Sequence, residues 1–341
     1  MMACALFIIL LCNEKNIRQS NISDYASVKS FHMGTVVSAE VYGEDAKIVA
    51  DNISDIVEDI DVGLLSVREE KSELYKLNES FALENASQTQ YVLSSEMEDI
   101  IRRAIDICGN SNGALDITLR PVALLWGIDT ADKKNFNIPS MEDIQSTLTK
   151  CGYQHLILSD DGYIKTDCDG VQIDLGAIGK GYALDKIKST LDKSRLIGAA
   201  VSVGGSIMVY GSKPDGTNWK VGIRNPFGTI DDMVGYISFP PETNVCVSTS
   251  GNYEKYVIKD GVRYHHIFDS HTGYPAEAGL SSVTVISSSG SDSDALSTAC
   301  FSLGYDKSLS LLKKYNAEAI FIDNQGNILL TDGMQNNFTS Y

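Results

Sequence analysis

The order of its periodic segments constrains this chain most: helix-like stretches and short strands are mixed, with no regular strand–helix–strand alternation. Val36–Tyr42 has the β-branched content of a strand. Ala46–Leu65 carries Ile48, Val49, Ile53, Ile56, Val57 and Ile60 at helical spacing. Further helices are predicted over Ser94–Cys108, Met141–Cys151 and Tyr182–Lys193, with a hairpin or two short strands over Leu156–Asp174. From Ala199 the pattern turns to strands: Ala199–Tyr210, Trp219–Ile223, Val234–Phe239, Asn244–Ser248, Glu254–Ile258 and Ser281–Ser287. Asp294–Leu303 and Lys307–Tyr315 return to helix, and Ala319–Ile322 with Ile328–Leu330 close as a hairpin. A doubly wound parallel sheet needs a crossover between successive strands. The expected fold is therefore α+β, with mixed, largely antiparallel sheets and packed helices. No Pro- or Gly-rich linker interrupts the body, so 31–335 reads as one domain.

Lys and Arg total 28 against 45 Asp and Glu, a formal charge of −17. Nucleic acids are held mainly through Lys and Arg, so a broad nucleic-acid surface is not expected. The same balance disfavours a general electrostatic hold on anionic lipid. An anionic small ligand needs a local device here, either a metal ion or aimed backbone amides. The 7 cysteines form no CxxC pair, so neither a zinc ribbon nor a thioredoxin-type site has support.

Met1–Cys12 reads MMACALFIILLC, an apolar stretch too short to span a bilayer as a helix. It suits the hydrophobic part of a secretory signal, although no basic residue precedes it. A cysteine directly after that stretch suggests a bacterial lipoprotein signal, with Cys12 as the acylated residue. Leu10 and Leu11 match poorly the small residues expected before it. The expectation is an exported protein, lipid-anchored on the outer face of the cytoplasmic membrane, with 13–30 as a polar tether.

Three segments carry residues fit for chemistry. In Asp174-Leu175-Gly176-Ala177-Ile178-Gly179-Lys180-Gly181, an acid ends a strand, a Gly-rich turn follows and Lys180 stands at a helix entrance. Glycines admit a ligand close to the backbone, and helix-start amides with a lysine attract phosphate. The spacing is neither a Walker A loop nor a dinucleotide GxGxxG; on spacing alone, a structural turn serves equally well. In Ser291–Ala299, Asp294 and Thr298 share a helix face, and their oxygens suit Mg2+ more than zinc. The simpler alternative makes Ser293 or Asp292 the N-cap and lets Thr298 bond back along the helix. Tyr264–Pro275 gathers His265, His266 and His271 beside Asp269. A zinc site is conceivable, but the spacing fits no defensible motif; a general base or a phosphate hydrogen-bond donor is at least as good a reading.

Taken in order, these segments carry a resemblance. Phe31-His32-Met33-Gly34-Thr35, Ser72-Glu73-Leu74 with Leu77-Asn78, and Gly113-Ala114-Leu115-Asp116 with Pro121 and Leu125-Trp126-Gly127 begin it. DLGAIGKGYALD at 174–185, VSVGGSIMVYG at 201–211 and TSGNYEKY at 249–256 continue it. HHIFDSHTGYP at 265–275, SVTV at 282–285 and DALSTA at 294–299 complete it. The chain resembles the FAD:protein FMN transferase family, the ApbE family, over nearly its whole length. That resemblance implies an exported or lipid-anchored α+β protein that uses Mg2+ and FAD. Such a protein attaches FMN through a phosphoester to a Thr or Ser of an acceptor flavoprotein subunit. The acceptor motif is of the Asp-x-x-Ser/Thr-Gly-Ala-Thr kind; this chain lacks it, so the acceptor is expected to be another protein.

The resemblance also implies roles. Asp294 and Thr298, joined by the carbonyl of Ala177, would hold the metal. Met33, Ala114, Leu115, Asp116, Asp174, Lys180 and Ile267 would contact FAD. His266 would take the proton of the incoming hydroxyl. Two departures stand out: Asp269-Ser270-His271-Thr272-Gly273 replaces the family's usual Asp-Pro-Arg-Thr-Gly, and Val67 stands where an aromatic residue often precedes Ser-Glu-Leu. A hydrolase of the same architecture, splitting FAD into FMN and AMP, and a non-enzymatic FAD-binding lipoprotein are the competing readings.

Overall fold

The computed structural model describes residues 24–82, 90–129 and 136–341. Its frame is an eight-stranded sheet in the order β1-β2-β6-β7-β10-β13-β14-β15, with every neighbouring pair antiparallel. These strands are β1 (Tyr25–His32), β2 (Thr35–Tyr42), β6 (Gly198–Val203), β7 (Ser206–Gly211), β10 (Val245–Gly251), β13 (Leu280–Ser287), β14 (Glu318–Asp323) and β15 (Ile328–Leu330). Smaller sheets combine β3 (Tyr91–Val92), β5 (Tyr163–Thr166) and β4 (Leu156–Leu158), and β16 (Phe338–Ser340), β9 (Met233–Phe239) and β8 (Trp219–Arg224). β11 (Tyr256–Lys259) and β12 (Val262–His265) form a separate hairpin. The helices are α1 (Ala46–Glu58), α2 (Glu73–Phe81), α3 (Ser95–Asn110), α4 (Arg120–Trp126), α5 (Met141–Leu148), α6 (Gly179–Leu191), α7 (Gly290–Leu303) and α8 (Tyr305–Lys314).

Period-two alternation divides the large sheet between two cores. On one face Val37, Val201, Met208, Val283, Val285 and Phe321 pack under α1, α6 and α7. On the other, Ala200, Val209, Ile286, Ile320 and Ile322 meet Trp219, Val221 and Ile237 of the β8–β9–β16 sheet. Each large apolar side chain removed from water contributes about 1.5–3 kcal/mol, which is why the sheet holds this two-sided register. A third cluster gathers around Trp126 with Val122, Phe136, Ile144, Val257 and Phe268.

The antiparallel α+β expectation holds, and several boundaries move. Tyr25–Ser30, expected in the tether, forms most of β1, because Ala26, Val28 and Ser30 alternate inward although the segment looks polar. Residues 1–12 and 13–23, read as signal and tether, lie outside the described residues. The folded body runs past 335, since β16 pairs with β9. Ala199–Tyr210 is two strands hinged at Gly204, whose φ of 60 demands a residue tolerant of left-handed backbone. α1 passes into a π-helical turn over Asp59–Leu65. That turn aims Asp61 at the β1–β2 corner, where its carboxylate accepts the Met33 amide at 2.5 Å.

Candidate active site

The site is built where α6 and α7 cross on the sheet. A Cβ on Gly181 would overlap the carbonyl of Gly290, and one on Gly290 would overlap the carbonyl of Gly181. Only glycine at both positions permits this approach, which brings Asp294 of α7 to the start of α6. Its Oδ2 accepts the Gly181 amide at 3.0 Å. Its Oδ1 accepts the Ser206 hydroxyl at 3.1 Å, and Lys180 Nζ lies 3.1 Å from the same oxygen. Ser206 belongs to the Val203-Gly204-Gly205-Ser206 turn, so that turn serves the site.

α7 begins one turn earlier than its periodicity suggested. Ser289 is its N-cap, accepting the Asp292 amide at 3.2 Å, rather than Ser293 or Asp292. Thr298 does not bond back along the helix: its hydroxyl lies 3.0 Å from that of Ser250, which is 2.7 Å from Ser297. Ser297 donates to the Asp294 carbonyl at 2.8 Å. From Gly290 to Phe301, Thr298 is the one residue of α7 that is not buried. The oxygens near this position are those of Thr298, of Ser250 on β10 and of the buried Asp294, whose carboxylate is paired with the Lys180 ammonium. That set suits a hard cation and lacks the nitrogen and sulfur that zinc sites use. Among the described residues no cluster of three or more His, Cys, Asp and Glu could hold a metal ion. A metal here depends on hydroxyl and carbonyl oxygens beside one carboxylate.

Burial works to lower the Lys180 ammonium, but the carboxylates of Asp294, Glu254 and Asp174 together hold the group above its ordinary range. Glu254 itself is raised by burial, with Lys180 opposing. Lys180 also donates to the Gly176 carbonyl at 3.2 Å, which ties it to the Gly-rich turn. Asp174 stabilises that turn by accepting the Gly176 amide at 2.8 Å. Met33 reaches the same place: its Cε and Leu65 Cδ1 fill the space where Gly179 has no side chain. Lys180, Asp174, Met33, Asp294, Thr298 and the Ala177 turn are thus brought together.

The 114–116 segment joins them through backbone, since Asp174 donates its amide to the Ile117 carbonyl at 2.8 Å. Leu115 is in the core, and its amide donates to the Ser111 hydroxyl at 3.1 Å. Asp116 has a bracing job: its carboxylate accepts from the Thr118 amide and hydroxyl at 2.8 and 2.6 Å and from the Tyr153 amide at 3.0 Å. Burial nevertheless raises its pKa. No strand ends at Asp174, where only an isolated bridge joins Gln172 to Leu119; Asn78 fixes this segment by trading hydrogen bonds with both backbone groups of Ile173, at 2.8 and 2.7 Å.

His266 follows the β11–β12 hairpin. Its Nδ1 lies 3.2 Å from the Lys255 carbonyl, whose oxygen can only accept, so Nδ1 carries the hydrogen and Nε2 keeps its lone pair. Desolvation first, then the charge of Lys255, lowers its pKa to about 4, so the ring is neutral near pH 7. Lys255 follows Glu254 in the chain, and Glu254 lies within electrostatic reach of Lys180 and Asp294. One short segment therefore links His266 to the Asp294 carboxylate. His265 is spent on structure, with Nε2 on the Ala276 carbonyl at 3.1 Å and Nδ1 accepting the Ile267 amide at 3.3 Å. Ile267 is buried and its carbonyl already accepts from Ala276.

The departing loop is well made. Asp269 Oδ1 accepts the amides of His271 and Thr272 at 2.8 and 2.9 Å. Ser270 donates to the Gly113 carbonyl at 2.7 Å, and Trp126 Nε1 donates to the Gly273 carbonyl at 2.7 Å. Sequence reasoning missed Arg120, which donates to the Val67 carbonyl at 3.3 Å and stands 3.8 Å from Asp174. Its signal was a lone arginine directly before Pro121. A cleft of about 530 Å³ on the other face of the large sheet, lined by Lys29, Glu40, Ser202 and Lys220, borders none of these residues.

Fold and site define a class: an antiparallel α+β protein that gathers a buried carboxylate, hydroxyl oxygens and a lysine at the start of a helix. The sequence profile of the ApbE family matches residues 33–321, and the chain belongs to that family. It is similar to the FAD:protein FMN transferase of Treponema pallidum (strain Nichols), 34% identical over 276 residues, covering 76% of this chain and 73% of the relative. The enzyme of the same name from Escherichia coli (strain K12) is 29% identical over 336 residues, 97% of this chain and 93% of the relative. Among solved structures, the ApbE protein of Thermotoga maritima aligns with a TM-score of 0.80 at 31% identity, covering 92% of this chain and 99% of its own.

Proposed function

We propose that this chain is a Mg2+-dependent transferase that moves FMN from FAD to a Thr or Ser hydroxyl of an acceptor protein, releasing AMP. The carrying observation is the buried Asp294 carboxylate, held between Lys180, Ser206 and the Gly181 amide with the Thr298 hydroxyl on the open side. Mg2+ held by Asp294, Thr298 and the Ala177 carbonyl would supply charge neutralisation on the pyrophosphate. Lys180 would hold a pyrophosphate oxygen, while Met33, Asp174 and the 114–116 backbone would fix the flavin portion. His266 Nε2 would accept the proton of the acceptor hydroxyl as its oxygen bonds to the FMN phosphorus. The bond from that phosphorus to the AMP oxygen then breaks, and AMP leaves with the electron pair. An unactivated hydroxyl is a poor nucleophile near neutral pH, so a neutral, oriented imidazole answers a chemical need.

The acceptor segment is proposed to carry the Asp-x-x-Ser/Thr-Gly-Ala-Thr motif. Export and lipid anchoring through Cys12 are proposed on the Met1–Cys12 sequence alone; among the described residues no helix is long and apolar enough to cross a membrane. AMP and free FMN, followed by chromatography with and without an acceptor bearing that motif, test the reaction. AMP release that requires both acceptor and Mg2+, with no free FMN, supports transfer. Equal release of AMP and free FMN without acceptor would establish the hydrolase instead.

A further inference from the structure

Asp185, which touches none of the site groups, lies one turn along α6 from Gly181. Its carboxylate accepts the Gly290 amide at 2.6 Å, the Ser291 amide at 2.8 Å and the Ser291 hydroxyl at 2.7 Å, with the Ser289 hydroxyl at 3.3 Å. Those amides are the otherwise unpaired donors at the start of α7. Across the glycine crossing the pattern is returned, because Asp294 of α7 accepts the Gly181 amide at the start of α6. Each helix thus caps the other through a carboxylate. A negative charge at a helix start is favourable, and most so where it is shielded from solvent.

We infer that Asp185 is a positioning residue for Asp294, setting the height of α7 against α6 so that Asp294 meets Lys180 and Gly181. The Gly181–Gly290 contact fixes the separation of the helices but leaves sliding and rotation about that point free. Two carboxylate bridges on either side of the contact remove both motions. Arg103 reinforces the arrangement from outside, pairing with Asp292 in the first turn of α7 through two hydrogen bonds of 2.6 Å. Ser289 links both devices, donating to Asp185 while accepting the Asp292 amide.

The inference rests on reading Asp294 as a metal ligand of the flavin transfer, and its test separates the two. Asp185→Ala, Asp185→Asn and a control, Ser140→Ala, which removes the cap of α5, a helix packed against α4, would be compared with the unsubstituted protein. The first readout needs neither metal nor turnover: hydrogen exchange of the Gly181 amide. The second is the Mg2+ concentration at half-maximal FMN transfer. Asp185→Ala is expected to speed Gly181 exchange and to raise the half-saturating Mg2+ about 10–100-fold, the effect typical of losing an outer partner of a metal ligand. Asp185→Asn, which keeps one acceptor oxygen, falls between, and it carries the test if the alanine variant does not fold. Ser140→Ala lowers stability while leaving both readouts unchanged. Unchanged Gly181 exchange and metal dependence in both Asp185 variants would overturn the inference. If the unsubstituted protein transfers no FMN, the functional reading fails, while the exchange result still decides the positioning claim.

Discussion

The two halves of the site are held in different ways. At the α6–α7 crossing, side-chain carboxylates reach across to backbone amides of the partner helix, two glycines touch, and nearly every group is buried. On the His266 side, loops are pinned by backbone carbonyls, by the Asp269 turn and by packing around Trp126. There Phe136, Tyr264, Phe268 and Tyr274 place their rings within 6.4 Å of the indole. The first half fixes charges that must stay put while a phosphoester is rearranged. The second holds the half-buried His266 ring by a backbone carbonyl rather than by a charge. Charge pairing and loop packing are thus assigned to different elements.

The contrast breaks most sharply at Asp294. Asp294→Ala removes the proposed metal donor and strands Lys180 without its buried partner, so FMN transfer is expected to fall on the order of 10⁴-fold or more. Steady-state rates at saturating Mg2+ check this, and activity within tenfold of the unsubstituted enzyme would remove the metal assignment. His266→Ala is expected to lower kcat about 10²–10³-fold with little change in melting temperature, and added imidazole should restore part of it. Because the folded pKa of His266 is about 4, the base remains competent well below neutrality. Its acid limb in kcat/KM against pH should lie near that value rather than near 6.5. The same depression, shared by His265 at about 4, has a stability consequence. Protons bind the unfolded chain first, so stability is lost as pH falls from about 6.5 toward 4.

Stability measurements sharpen the comparison further. Gly181→Ala must push α6 from α7 and is expected to cost about 1–3 kcal/mol or more, with metal-dependent activity lost as well. Trp126→Phe keeps a ring in the cluster but drops the bond to Gly273, costing about 1 kcal/mol. It should disturb the His266 side alone, leaving exchange of the Gly181 amide as it was. Chemical denaturation with site-resolved exchange distinguishes these outcomes, and a Trp126→Phe effect on Gly181 would show that the halves are one unit. The smallest change is His271→Arg, which restores the family's usual residue beside Asp269. It is expected to alter the KM for FAD by about two- to fivefold, since an exposed charge contributes about 1 kcal/mol or less.

Much of this was legible in the sequence, for physical reasons. The strand blocks and the Asp294-to-Thr298 spacing follow directly from side-chain periodicity, and the Gly-rich turn announces a close approach. What escaped depended on tertiary partners. α7 starts at Gly290 in a serine-rich stretch that reads as loop, because Asp185, more than 100 residues earlier in the chain, supplies its cap. α6 starts at Gly179, where local propensity disfavours helix, because Asp294 and the crossing impose it. α2 and α4 are short, and propensity summed over so few residues carries little signal; Arg120 and Asn78 acquire meaning only when Asp174 and Ile173 arrive beside them. The two adjacent histidines separate likewise: His265 turns inward to the Ala276 carbonyl, whereas His266 meets the Lys255 carbonyl through Nδ1.

The most direct test is the intact mass of a denatured acceptor after incubation with FAD and the protein, with Mg2+ or with a chelator. The account predicts a covalent gain of one FMN that needs Mg2+ and disappears with Asp294→Ala. An acceptor labelled equally well by Asp294→Ala, or labelled in full when the metal is removed, would contradict it.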